Sequence, residues 1–146
     1  MAPVVAACQA MRGVSFLVAV TFVAEIGDVR RFESPRQLMA FLGLVPSERS
    51  TGDTVRRGGL TLAVRRALVE GAWSYRHPAR VTETIRVRLE GLPKAVREIA
   101  WKAQVRLSAR YRRLVAAGKR APVAVAAIAR EMAAFLWAIG RVVEPA

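Results

Sequence analysis

The feature that most constrains the fold is the spacing of apolar residues in 94–117, the longest stretch of the chain without glycine or proline. Its apolar side chains recur every three or four residues, at Val96, Ile99, Ala103, Leu107, Tyr111 and Leu114. One face of an α-helix repeats with this spacing, and Gly118 lies where a C-capping glycine belongs. The spacing therefore predicts a long amphipathic helix over 94–117.

Turn-forming residues divide the rest of the chain into further segments of helical length. Ser34 and Pro35 form a typical helix start, with serine as the N-cap and proline at the first helical position. Segment 14–26 is apolar on nearly every side, so its pattern fits a buried helix and a buried strand alike. The other segments with helical character are 3–11, 35–42, 60–75 and 122–142. Since no strand alternation persists, we predict a single all-α domain over 1–146.

The chain is strongly basic, with 24 Lys and Arg residues against 11 Asp and Glu residues and a formal net charge of +13. Most of this excess lies in the basic helical segment 76–120. Four cations there share one helix face, and we call them the basic ridge: Lys102, Arg106, Arg110 and Arg113. A solvated helix face usually also carries acids for i,i+4 pairing, which these positions lack. We therefore predict that the basic ridge binds a nucleic-acid backbone.

Three further observations concern the cysteine and histidine content, the apolar runs and Trp101. It has one cysteine, Cys8, and one histidine, His77, so neither a disulfide framework nor a zinc site made by this chain alone is expected. The apolar runs 14–24 and 122–139 are not predicted to span a membrane, because the first is too short and charged residues interrupt the second. Trp101, beside the basic ridge, has two interpretations: packing in the core or against a partner helix, or stacking on a nucleobase.

Several motifs resemble a known family. Residues 11–28, MRGVSFLVAVTFVAEIGD, resemble a helix-hairpin-helix element, whose glycine-containing turn presents backbone N–H groups to a DNA phosphate. Residues 38–75 contain LMAFLGLVPSERSTGD, RRGGLT and RRALVEGAWSY. Together with IAWKAQVRL at 99–107 and AIARE at 127–131, these motifs resemble the C-terminal transposase domain of the IS one-ten insertion-sequence family, which includes the Piv-type DNA invertases.

The resemblance implies a two-part protein. In that family an N-terminal RuvC-like domain holds Mg²⁺ with a DEDD set of carboxylates, and the C-terminal domain supplies the serine of a Ser-Gly pair. This serine attacks a DNA phosphodiester and becomes linked to the DNA, with the metal-bound domain activating its hydroxyl. Several members use a structured guide RNA. DNA is therefore the expected partner, and further expected partners are a guide RNA, a second copy of the chain and a RuvC-like domain supplied in trans.

The position that matches the family serine lies just before Gly52. Thr51 and Ser50 are therefore the candidate nucleophiles, although ordinary turn chemistry also accounts for this segment. Arg12, in the hairpin, is a candidate for contact with nucleic acid. Three arginines that flank the candidate nucleophiles are candidates for holding the phosphate: Arg49, Arg56 and Arg57.

Three departures from the family pattern predict a chain that does not act alone. The carboxylate domain is absent, threonine replaces serine before Gly52, and no segment resembling Ile-Thr-Lys-x-Gly-Asn follows the glycine pair. We expect a truncated, inactive transposase copy that binds DNA, located in the bacterial cytoplasm with the nucleoid, without a metal site or a membrane partner. The alternatives are a non-catalytic DNA- or RNA-binding module that regulates an intact transposase, and a helical scaffold for another protein.

Overall fold

A computed structural model of the chain describes residues 2–44 and 59–143. Within these ranges it contains no strand, and its helices confirm the predicted all-α class. Among the described residues the α-helices are α1 (Ala2–Cys8), α2 (Phe16–Ile26), α3 (Pro35–Phe41), α4 (Gly59–Ala72), α5 (Glu83–Leu89), α6 (Lys94–Ala116) and α7 (Ala121–Val143). In the same ranges, short 3₁₀ helices at Val29–Arg31 and Trp73–Arg76 follow α2 and α4.

The last helix forms the centre of the fold. α7 packs against α1, α3, α4 and α6, and its fully buried side chains include Ile128, Met132, Leu136 and Ile139. By length and composition alone α7 would also be able to cross a membrane, but 56% of its most apolar window is buried inside the protein. A core helix passes the same test, so the neighbouring helices account for the apolar character of α7.

The predicted helix starts and ends are close to the observed ones. Ser34 caps α3, because its side chain accepts a hydrogen bond from the backbone N–H of Gln37. Gly118, with φ of 97°, follows the end of α6. Segment 14–26, which fits helix and strand alike, is helical from Phe16, and Ser15 caps it through the backbone N–H of Val18.

α5 is the helix that the sequence pattern does not predict. It has seven residues, and Ile85 is the only one of them that is buried. Thr82 supplies its N-cap by accepting a hydrogen bond from the backbone N–H of Ile85. A single buried position leaves no periodicity to detect, so local sequence gives little signal for this helix.

The turn between α1 and α2 is fixed against α4 through two glycines. A Cβ on Gly13, whose φ is 87°, would lie 2.5 Å from the carbonyl oxygen of Gly71 in α4. Tyr75 is fully buried, and its hydroxyl donates to the carbonyl oxygen of Arg12 at 2.6 Å. Arg88 of α5 donates to the carbonyl oxygen of Val14 at 3.2 Å. This turn between α1 and α2, residues 9–15, is called the hairpin turn, and it is held from α4, α5 and the second 3₁₀ helix.

Candidate nucleic-acid interface

The four residues of the basic ridge lie on one side of α6, next to the buried face of the helix, which Arg110 borders. α6 packs against α7, and its buried residues include Val96, Ala103 and Leu107. Three members of the ridge are exposed to solvent and the fourth, Arg110, is half-buried. The structure thus brings the four predicted residues together.

One carboxylate from α7 holds the middle of the basic ridge. The side chain of Glu131 is only 17% exposed, and its two carboxylate oxygens each lie 2.6 Å from an arginine Nε, one of Arg106 and one of Arg110. The ridge therefore does have an acid, although not on its own helix. This acid lies 25 residues from Arg106 in the sequence, so a search for i,i+4 pairs within the helix does not find it.

Other cations of segment 76–120 are already engaged. Arg86 lies 2.6 Å from Glu83 and 3.2 Å from Glu90, which are all on or next to α5. The Arg88 guanidinium donates to the hairpin turn. These arginines therefore contribute less to a phosphate-binding surface than the charge count of the segment suggests.

Sequence reasoning missed three cations at the end of α6. They are exposed, and no ion pair in the described part of the chain involves them: Arg112, Lys119 and Arg120. Arg112 lies about 80° around the helix from Lys102, on the side opposite to the other ridge members and about 160° from Arg110, so it falls outside the ridge. The excess of Lys and Arg residues in segment 76–120 is the sequence signal that could have pointed to all three residues.

An apolar groove of about 450 Å³ lies between α5 and α6, beside the basic ridge. Apolar side chains and a rim of charged ones line it: Val81, Ile85, Leu89 and Trp101, with Lys94, Arg97, Glu98 and Lys102. Trp101 is 45% exposed, so it is not a core residue. An exposed indole with a largely cationic rim offers a flat surface for a nucleobase.

Arg12 is held by the protein itself. Its Nη1 donates to the carbonyl oxygens of Ser74, at 3.4 Å, and His77, at 3.2 Å. Partial burial lowers the pKa of its guanidinium; Tyr75 opposes this shift and Arg80 adds to it. Arg12 thus joins the hairpin to the second 3₁₀ helix, and its contact with nucleic acid stays a prediction.

The remaining predicted site residues lie outside the described residues, in segment 45–58. They are the candidate nucleophiles and the arginines around them: Arg49, Ser50, Thr51, Arg56 and Arg57. The described chain ends at Leu44 before this segment and resumes at Gly59, the first residue of α4.

The acids near α2 have structural roles. Asp28 caps the first 3₁₀ helix and pairs with Arg30 at 2.7 Å, and these hydrogen bonds lower the pKa of its carboxyl group to about 2. Glu25 accepts a hydrogen bond from the buried hydroxyl of Thr61, which joins α2 to α4. Within 2–44 and 59–143, no three His, Cys, Asp or Glu side chains come together as a metal site would require.

Comparison with known proteins identifies the family. A family model described as "Transposase IS116/IS110/IS902 family" matches residues 6–85, which is more than half of the 146 residues. The chain belongs to the IS116/IS110/IS902 family of transposases. The matched region of this transposase-family chain runs from α1 through the hairpin, segment 45–58 and α4 to the start of α5.

Curated relatives of this transposase-family chain are named as transposases. A putative transposase y4qE of Sinorhizobium fredii is 57% identical over 145 residues, which cover 97% of this chain and 37% of that protein. The transposase for insertion sequence element IS1111A of Coxiella burnetii is 39% identical over 70 residues, 44% of this chain and 19% of that protein. The chain therefore spans well under half the length of these relatives. No solved structure matches it.

Proposed function

We propose that this chain is the DNA-binding C-terminal domain of an IS116/IS110/IS902-family transposase, and that it binds the DNA backbone through the basic ridge. The observation that supports this proposal best is the row of cations on α6. Glu131 forms ion pairs with two of them, Arg106 and Arg110. Lys102 and Arg113 are exposed, and no ion pair in the described residues involves them. They are free to displace the counterions of a DNA backbone.

The dimensions of the ridge suit a DNA backbone. From Lys102 to Arg113 the helix rises about 16 Å, at 1.5 Å per residue. One strand of duplex DNA carries a phosphate for every 3.4 Å of its axis, so this length spans roughly five phosphates. Helix and strand can therefore run side by side over the whole ridge.

The transposition chemistry that we propose uses a hydroxyl of this chain together with another domain. The side-chain hydroxyl oxygen of Ser50 or Thr51 attacks phosphorus and forms a new O–P bond, while the bond from phosphorus to the departing deoxyribose oxygen breaks. The proton that the side-chain hydroxyl loses is balanced by the proton that the departing oxygen gains, so that a free deoxyribose hydroxyl leaves. A RuvC-like domain would hold Mg²⁺ with its carboxylates, and that ion would supply charge stabilisation for the phosphate under attack. The chain by itself then binds DNA without cleaving it.

A second candidate function is a non-catalytic DNA- or RNA-binding module that regulates an intact transposase. The threonine that precedes Gly52, where the family has serine, favours this alternative. The two functions differ in one assay, which supplies a RuvC-like domain in trans and detects a covalent protein–DNA adduct. If Ser50→Ala combined with Thr51→Ala leaves the adduct unchanged, the catalytic proposal is wrong.

We further propose that the apolar end of α2 contacts a partner. Phe16 and Leu17 are 64% and 71% exposed, and they are the first two residues of that helix. A second copy of the chain or a RuvC-like domain would bury them.

The family is consistent with a soluble cytoplasmic protein. Association with the nucleoid and with a structured guide RNA is part of the proposal.

The test is binding of the purified chain to duplex DNA and to a hairpin RNA over a salt series. Each phosphate contact contributes about 0.9 to the slope of log affinity against log salt for duplex DNA. We expect Lys102→Ala with Arg113→Ala to reduce this slope by roughly two, with unchanged folding by circular dichroism.

The matched control is Arg36→Ala with Arg141→Ala, which removes the same charge from exposed positions on α3 and near the end of α7. We expect this control to keep the wild-type slope. Absence of binding by the wild type at 50 mM salt, or equal slopes for the two double variants, would contradict the proposal.

A further inference from the structure

A second basic feature lies in a cleft between the end of α3 and α4. The cleft has a volume of about 490 Å³, and its walls include Gly43, Leu44 and the charged side chains Arg65, Arg66 and Glu70. No ion pair within 2–44 and 59–143 involves any of these three charged residues. With two arginines and one glutamate, the lining of the cleft carries a net positive charge, and no ion pair in the described residues engages either arginine.

The shape of the turn after α3 positions one of these arginines. Gly43 has φ of 73°, and a Cβ at this position would lie 2.7 Å from Nη1 of Arg65. The guanidinium thus occupies space that a larger residue at position 43 would fill. Arg65 is half-buried, and a charge that is partly removed from water attracts an anion more strongly than a fully solvated one.

A third arginine reaches the same turn from α7. The Nε of Arg130 donates to the carbonyl oxygen of Leu44 at 3.1 Å. This bond uses one of the five N–H groups of the guanidinium and holds it against Leu44, a wall residue of the cleft. Arginines from two helices therefore converge on residues 43 and 44, and the planar guanidinium fork suits the oxygens of a phosphate.

We propose that this arginine cleft, formed by Arg65 and Arg66 with Arg130 bonded to its wall residue Leu44, binds a phosphate group, which the backbone of the bound nucleic acid supplies in function. The inference rests on the proposed function for the source of that phosphate. Leu44, a wall of the cleft, is also the residue from which segment 45–58, with the candidate nucleophiles, continues.

The experiment compares three double variants of the full chain with the wild type and with the ridge variant, Lys102→Ala combined with Arg113→Ala, for duplex binding over a salt series. In Arg65→Ala with Arg66→Ala, two phosphate contacts are lost, so the slope of log affinity against log salt falls by roughly 1.8. Between 50 and 200 mM salt this variant then loses about tenfold less affinity than the wild type does. Arg65→Lys with Arg66→Lys keeps both charges and keeps the slope. Arg36→Ala with Arg141→Ala, the control used for the ridge, also keeps it.

The result that would overturn the inference is a wild-type slope in the alanine variant, while the ridge variant still shows its reduced slope. In that case the proposed function would stand without the cleft. A reduced slope in the lysine variant would also contradict the inference, because that change preserves the charge. Circular dichroism of each variant establishes that it is folded.

A second measurement tests the cleft without nucleic acid. Inorganic phosphate is titrated into ¹⁵N-labelled chain while the Nε–Hε NMR signals of the arginines are followed. We expect saturable shifts at Arg65 and Arg66 in the wild type, and at the same signals in the control. No shift at these residues would overturn the inference. If the wild type does not bind duplex DNA, the proposed function fails, and this titration decides the phosphate site separately.

Discussion

Glu131 stands between two arginines in a chain whose net charge is +13. Its carboxylate is largely buried and lies 2.6 Å from the Nε atoms of Arg106 and Arg110. Removing a largely buried ion-pair partner leaves cations without compensation, which costs more than the loss of an exposed pair. The same removal also frees two cations for an outside anion. A single substitution should therefore change stability and nucleic-acid binding in opposite directions.

We predict that Glu131→Gln lowers the free energy of unfolding by about 1–2 kcal/mol, since both arginines are partly solvated. At the same time it steepens the salt dependence of DNA binding, because Arg106 and Arg110 then exchange mobile anions for phosphate. Urea unfolding and the salt series measure the two effects on the same sample.

The matched control for this change is Glu98→Gln on α6. Glu98 is exposed and lies 3.9 Å from Lys94, and exposed pairs contribute little to stability, about 0–1 kcal/mol. If Glu131→Gln unfolds at the same urea concentration as Glu98→Gln, the shared carboxylate has no structural role.

Gly71 is the residue of α4 that touches the hairpin turn. A Cβ at this position would clash with the backbone carbonyl oxygen of Gly13. Although alanine is the better helix former by about 1 kcal/mol, we predict that Gly71→Ala destabilises the protein by about 1–3 kcal/mol, because the obstacle is backbone. Thermal unfolding measures this change.

Gly91→Ala is the control variant for the prediction about Gly71→Ala. Its φ is 79°, but a Cβ there would meet nothing within 4 Å. Gly91→Ala therefore reports the cost of the positive φ alone, about 1 kcal/mol. A melting temperature for Gly71→Ala at or above that of the wild type would contradict the described contact between hairpin and helix.

At the scale of single elements, the groove between α5 and α6 leads us to predict that it binds an unpaired nucleobase. Trp101 is 45% exposed there, whereas Trp73 and Trp137 are partly buried against the core. We predict that a single-stranded oligonucleotide quenches the tryptophan emission of the chain, because a base stacks on the exposed indole. In Trp101→Phe this quenching disappears, while affinity changes by only a few fold because phenylalanine also stacks.

Duplex DNA of the same sequence is the control for that experiment, since its base faces are covered. Quenching of equal depth in the wild type and in Trp101→Phe would show that the groove takes no base. Equal quenching by duplex and single strand would lead to the same conclusion.

Individual helices were predictable where local sequence determines them. Ser34 marks the start of α3 through its own side chain, and Gly118 follows the end of α6 as its capping position requires. Segment 14–26 needed the structure, because a helix that is apolar all round has the same composition as a buried strand. α5 had no periodicity that would have revealed it, and the groove that it forms with α6 was therefore also not predicted.

At the scale of the whole molecule, the sequence shows which residues are charged but not which charged side chains pair between helices. The basic ridge follows from spacing along one helix, whereas Glu131 reaches it from another helix. The arginine cleft is similar, because Arg65 and Arg130 are 65 positions apart in sequence and each reaches the turn that ends α3, at Gly43 and at Leu44. Contacts between helices are set by packing, and one sequence without structure does not show them.

The shared carboxylate has a consequence for the thermodynamics of binding. Arg106 and Arg110 are already ordered on folding, so a ligand does not have to immobilise their side chains, and the entropy cost of association falls. Glu131 already neutralises part of their charge, so these two arginines hold few mobile anions that a phosphate could release. Lys102 and Arg113 instead release mobile ions to the solvent. The same helix face therefore has two parts. Phosphate binding by the preorganised pair, Arg106 and Arg110, depends little on salt, whereas binding by Lys102 and Arg113 weakens as the salt concentration rises.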